Sequence, residues 1–173
     1  MAGEGGSGAT VGATVQDLSA LLWYERELLD LLTFKLEEEQ LLLTAGKSRW
    51  VQHATREVEQ VMARLRETGL ARTVAVADLA REWGTPEGAT LRELVAQAPA
   101  GPWTDVFGGH LRAMTDLTAG IRQLRDVNEQ YLRAAIRVTQ ETLSGAEHEA
   151  RTYDSRGTSD LSSPRAQLFD ASM

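Results

Sequence analysis

With 173 residues, 42% of them apolar and 25% charged, the chain has enough material for one domain with a core of its own. It contains no cysteine, which excludes a disulfide framework, a thiolate metal site and a cysteine nucleophile, and fits a reducing compartment. The formal net charge of −7 sets the surface against phosphate backbones and argues against a nucleic-acid partner.

The first thirteen residues, MAGEGGSGATVGA, are glycine-rich and carry no basic residue. A disordered 1–13 segment is expected, because glycine loses the most freedom on ordering. The segment lacks the charged start and apolar run of a secretory leader, and no run of eighteen apolar residues follows, so membrane insertion is not expected and a cytoplasmic protein is.

A helical domain is predicted over 14–144. Thr14 caps its first helix, with Asp17 near the positive end of the dipole. Leu22, Leu29, Leu36 and Leu43 recur seven apart, and Leu18, Leu21, Leu28, Leu32 and Leu42 widen the stripe. Nothing interrupts this run before Gly46, which gives a helix of roughly 30 residues, or about 45 Å. A second helix is predicted from Ser48 to Thr68, closed by Gly69, with Val51, Ala54, Val58, Val61 and Leu65 three and four apart. A tight turn at Ala45–Gly46–Lys47 folds it back on the first. The first helix is rich in acids and the second in bases, which favours the hairpin, although each exposed pair contributes little.

Two short helices are predicted in the middle: Thr73 to Trp83, stopped by Gly84, and Thr90 to Ala98, stopped by Pro99. The last helix starts at Pro102 and carries Leu111, Met114, Leu117, Ile121, Leu124, Tyr131, Ala135 and Val138 in three-four steps, fading near Ser144–Gly145. The polar remainder, 145–173, is expected to be a flexible tail. The fold class is therefore all-α: a long helical hairpin and a long C-terminal helix in an antiparallel, coiled-coil-like bundle, with short helices between them.

Candidate chemistry along the chain is weak. Gly46–Lys47–Ser48 copies the end of a phosphate-binding loop, but the motif's first glycine would fall at Leu41 and no strand precedes it. His53, His110 and His148 are not arranged as the Glu-x-x-His pairs of di-metal bundles. Glu37, Glu38 and Glu39 point around the helix in different directions and are expected to form a solvated surface. No enzyme activity, cofactor or metal is expected.

Asn128 lies on the apolar stripe of the last helix. It either fixes the register of the bundle, as a buried Asn does in coiled coils, or lies on a face left open for a partner. At about 40 residues and roughly 60 Å, the last helix outreaches the hairpin. Its far part, with Tyr131, Leu132, Ala135, Ile136, Val138 and Leu143, is expected to lack a cover within the molecule, and an uncovered amphipathic stripe invites a partner helix.

Two segments carry a family resemblance: LSALLWYERELLDLLTFKLEEEQLLLTAG with the amphipathic helix after it, and IRQLRDVNEQYLRAAIRVTQETL followed by TYDSRG. Together, over roughly residues 15 to 157, the chain resembles the FlgN family of flagellar export chaperones. The resemblance implies a cytoplasmic chaperone that binds hook-associated (hook–filament junction) proteins, prevents their premature association and delivers them to the type III export gate. It implies client contacts on the C-terminal helix, at Asn128, Tyr131, Leu132, Ala135, Ile136, Val138 and Leu143, and a tail anchor at Tyr153. A monomer or weak dimer is expected. The alternative is a structural coiled-coil protein acting through homo-oligomerisation.

Overall fold

The computed structural model describes the backbone of residues 5–157 and the side chains of residues 14–146, in both cases without Glu87. Four helices follow in chain order: α1 (Gly5–Thr44), α2 (Ser48–Trp83), α3 (Leu91–Ala96) and α4 (Pro102–Gly157). Contacts divide the chain between Tyr131 and Leu132 into two compact units.

In the first unit, one buried cluster joins all four elements. Val15, Leu18, Leu22, Leu29, Leu32 and Leu36 come from α1, and Val58, Val61, Val76, Leu79 and Ala80 from α2. Leu94 comes from α3, and Phe107, Met114 and Ile121 from α4. The three-four spacing puts each set on one face, and each fully buried Leu-sized side chain contributes about 1.5–3 kcal/mol. At the α3 end, Phe107 is fully enclosed, its ring 5.9 Å from Trp103 and 6.2 Å from Trp83 between centroids. These contacts give a role to the two tryptophans that flank the short middle segment.

The α1–α2 turn has a left-handed Gly46 (φ 65°). Gly46 N–H donates to Leu43 O at 3.2 Å and Lys47 N–H to Leu42 O at 2.9 Å. That pairing is a Schellman closure, so Gly46–Lys47–Ser48 is a helix–helix turn with its backbone groups already used. Gly84 (φ 67°) ends α2 in the same way, with Thr85 N–H donating to Ala80 O at 2.9 Å. α3 opens on a capping box: Glu93 N–H donates to Thr90 Oγ1, and Thr90 N–H to Glu93 Oε2 at 2.7 Å. The Thr90 N–H and the Thr90 hydroxyl, which also donates to Glu93 Oε2 at 2.8 Å, hold the Glu93 carboxyl below its ordinary range.

Three boundaries differ from the sequence expectation. The predicted break at Gly69 is absent, and α2 runs through it to Trp83. The seam continues across Gly69 through the buried Thr68 and the half-buried Arg72 to Val76 and Leu79, so packing outweighs the roughly 1 kcal/mol propensity penalty of a helical glycine. α1 begins at Gly5 rather than Thr14, and the expected disorder of 1–13 is replaced by helical backbone from Gly5 onward. Extending an existing helix adds a hydrogen bond for each residue fixed, without a new nucleus. α4 likewise continues past Ser144 to Gly157, through a stretch of good helix formers around Ala146, Glu149 and Ala150. The expected flexible tail is therefore helical in its first part, and residues 158–173 lie outside the described residues.

Candidate functional site

Within the second unit, the described side chains, from Leu132 to Ala146, include none that is buried. Leu132 and Ala134 are half-buried and the others exposed. Ile136 is 56%, Val138 61% and Leu143 61% exposed. At about 100° per residue, Leu132, Ala135, Ile136 and Leu143 share one face, with Thr139 between them, while Val138 lies on the flank. Thr139 and Thr142 each donate to the carbonyl four residues back, at 2.9 and 2.8 Å, which satisfies their hydroxyls within the helix. The open face is thus more apolar than its composition suggests.

The remaining sequence candidates divide. Tyr131, the last residue of the first unit, is 43% exposed. Asn128, three residues earlier, is 2% exposed and turned inward. Its Nδ2 donates to Leu36 O at 2.9 Å and to Glu39 Oε2 at 3.1 Å. Glu39 Oε1 in turn accepts from Thr55 Oγ1 at 2.7 Å. One hydrogen-bonded chain thereby ties α2, α1 and α4 at a single level. This geometry supports register control for Asn128. The Tyr153 side chain lies outside the described residues.

Glu39 corrects a sequence expectation. The triple Glu37–Glu38–Glu39 was expected to be a solvated surface, yet only Glu37 is fully exposed. Glu38 accepts from Lys35 Nζ at 2.6 Å, and Glu39 is 6% exposed inside the bundle. The missed clue is positional: α1 has seam positions at Leu18, Leu22, Glu25, Leu29, Leu32, Leu36 and Glu39. Two of those seven are acids, and both are buried.

The other seam acid meets a base. Arg72 Nη1 donates to Glu25 Oε1 at 2.5 Å, while Glu25 Oε2 is buried with no hydrogen-bond partner. Burial raises the Glu25 carboxyl above its ordinary range and outweighs the opposite pull of Arg72. His110, a seam residue of α4, packs edge-on against Trp23 with centroids 4.9 Å apart, and its Nδ1 is buried without a partner. Burial, aided by the nearby Arg26 charge, lowers its pKa from the usual histidine value. On the hairpin surface, Lys35 bridges to Glu57 at 2.7 Å, and Arg64 donates to the Tyr24 hydroxyl at 2.8 Å. Among the described residues, two ion pairs join α1 and α2, and they run in opposite senses. Lys35–Glu57 sets a base of α1 against an acid of α2, and only Arg72–Glu25 follows the expected sense, from a base beyond the predicted end of the second helix.

Among the described residues, no three His, Asp or Glu side chains gather in a way that would hold a metal ion, and no helix is long and apolar enough to cross a membrane. The arrangement is suited to holding another polypeptide: a braced bundle, and a helical stretch with an open apolar face.

No curated protein and no solved structure matches the chain. The family model described as FlgN protein matches residues 14–160, which includes α1 from Thr14 onward, α2, the middle segment and all of α4. With that match spanning most of its length, the chain belongs to the FlgN family and is a flagellar export chaperone.

Proposed function

We propose that this chaperone binds hook-associated proteins through the C-terminal part of α4, keeps them from associating early and delivers them to the type III export gate. The observation that carries this reading is the exposed apolar face of Leu132, Ala135, Ile136 and Leu143, flanked by Val138 and Tyr131. A client that offers an amphipathic helix with matching spacing buries its own apolar residues there, at about 1.5–3 kcal/mol for each large side chain. Several such contacts offset the ordering of both partners and still permit release. Covering the client's apolar face removes the surface through which it would self-associate. Asn128 serves this face indirectly, by fixing the register of α4 against α1. Tyr153 is kept as an anchor for the client or the gate.

The test is titration of a purified hook-associated protein into the full chain, followed by calorimetry and light scattering. Ile136→Asp is expected to reduce affinity at least tenfold, equivalent to about 1.4 kcal/mol, with helicity unchanged. Asn128→Leu, which leaves the exposed residues in place, is expected to retain binding. Undiminished binding by Ile136→Asp would reject the face. A stable higher oligomer of the chain alone, dissociated by the same substitution, would favour homo-oligomerisation instead.

A further inference from the structure

We propose that the first unit carries a second docking surface, separate from the client face, that accepts an acidic amphipathic helix from a partner protein. It is a groove of about 440 Å³ between α2, the entry to α3 and the first half of α4. Val76 and Met114, both buried, form its floor, with Leu91 and Leu111 half-buried beside them. Because α3 ends after six residues, it closes only part of the space between α2 and α4.

Charge selects the occupant. Among the described lining residues none is acidic, and two, Arg72 and Arg92, are cationic, in a chain with seven more acids than bases. Arg92 is exposed and forms no ion pair among the described residues. Arg72 commits Nη1 to Glu25, and the other nitrogens of its planar fork are available for a second carboxylate. The threonines on the wall do not compete for it. Thr73 and Thr115 donate to the carbonyls of Gly69 and Leu111, Thr118 to that of Met114, and Thr90 is used in the capping box. A segment with apolar residues on one face and carboxylates on its edge meets an apolar floor and a cationic rim, which is helix-in-groove recognition with electrostatic selection.

The probe is a pair of synthetic helical peptides with one leucine pattern, flanked by glutamates in one and lysines in the other. Each is titrated against the isotope-labelled full chain, with anisotropy for affinity and amide shifts for location. The glutamate peptide is expected to bind in preference to the lysine peptide and to shift amides of Thr73, Leu91 and Thr115. Arg92→Glu, an exposed substitution outside the core, is expected to weaken it about tenfold or more by placing like charges together. Thr115→Trp is expected to fill the groove and block binding. Ile136→Asp is expected to leave it unchanged, so failure here is distinguishable from failure of the client face. Equal binding of both peptides, binding of neither, or indifference to Arg92→Glu overturns the proposal. So does a concentration-dependent dimer of the chain that Arg92→Glu abolishes, since the occupant would then be a second copy.

Discussion

Between Phe107 and Asn128, α4 turns Phe107, His110, Met114, Ile121 and Asn128 into the core of the first unit. Between Leu132 and Leu143 it repeats the three-four spacing, and no described residue is buried. Periodicity is the same in both stretches, so it identifies helix and face without saying whether the face is already covered. Polar insertions differ in kind. Inside the core they are partnered or enclosed, as Asn128 is by Leu36 and Glu39; on the exposed stretch, Thr139 and Thr142 bond back to their own helix. Buried polar groups specify one arrangement of helices, and an open face is free of that demand.

The largest expected effect comes from placing the same charge on each stretch. Ile121→Asp puts an unpaired carboxylate where Ile121 is now buried, and is expected to destabilise the protein by about 4 kcal/mol or more. Ile136→Asp, at an exposed position, is expected to change stability by no more than about 0.5 kcal/mol. Chemical denaturation of both variants checks this. Similar losses for the two would mean that the stretches share one environment.

Acid sharpens the same contrast, because among the described residues the buried titratable side chains Glu25, Glu39 and His110 lie in the first unit. His110 has a lowered pKa in the folded protein, so between that value and about 6.5 the unfolded chain binds more protons. Stability from keeping His110 neutral is full above the unfolded pKa and is lost as the pH falls toward the folded one. Glu25 has the opposite sign. Its raised folded pKa makes the folded chain the better proton binder just above 4.5, so stability falls as the pH rises through that window. Melting temperature followed from about pH 5 to 8 is expected to decline on the acid side of the histidine range, and His110→Phe is expected to flatten that decline. An unchanged profile in His110→Phe would mean that the buried imidazole does not govern it.

Much of this fold was legible in the sequence. The leucine spacing of α1, the helix-ending glycines Gly46 and Gly84 and Pro102 in a first turn each act locally, and local rules place them; Thr90, expected as the first residue of its helix, is the cap before it. What escaped were polar residues at seam positions. Glu25, Glu39, Arg72 and His110 interrupt an apolar pattern on paper, and each meets a partner on another helix, as in Thr55–Glu39, Arg72–Glu25 and Trp23–His110, while Thr68 bonds back to Arg64 O in its own helix. Asn128 was noticed because it stood alone in a clean stripe, but its partners on α1 lie 89 and 92 residues away, beyond the reach of local spacing. The α2–α4 groove was equally hidden, since its walls come from three elements.

Gly69 is the smallest test and the one that isolates why a glycine stops one helix and not another. Gly46 and Gly84 adopt positive φ and close Schellman motifs, and after each the apolar seam changes direction. Gly69 stays helical because Thr68, Arg72, Val76 and Leu79 continue the seam on both sides of it, and a side chain added there would meet nothing within 4 Å. Gly69→Ala is therefore expected to stabilise the protein by about 0.5–1 kcal/mol, through helix propensity and reduced freedom of the unfolded chain. Gly84→Ala is expected to destabilise it by about 1–2 kcal/mol, because an alanine must then hold a left-handed conformation. Urea unfolding of the two variants reads both signs. If Gly69→Ala lost stability, α2 would need a break at that position, and the continuous seam that carries Arg72 to Glu25 would not be what holds the helix together.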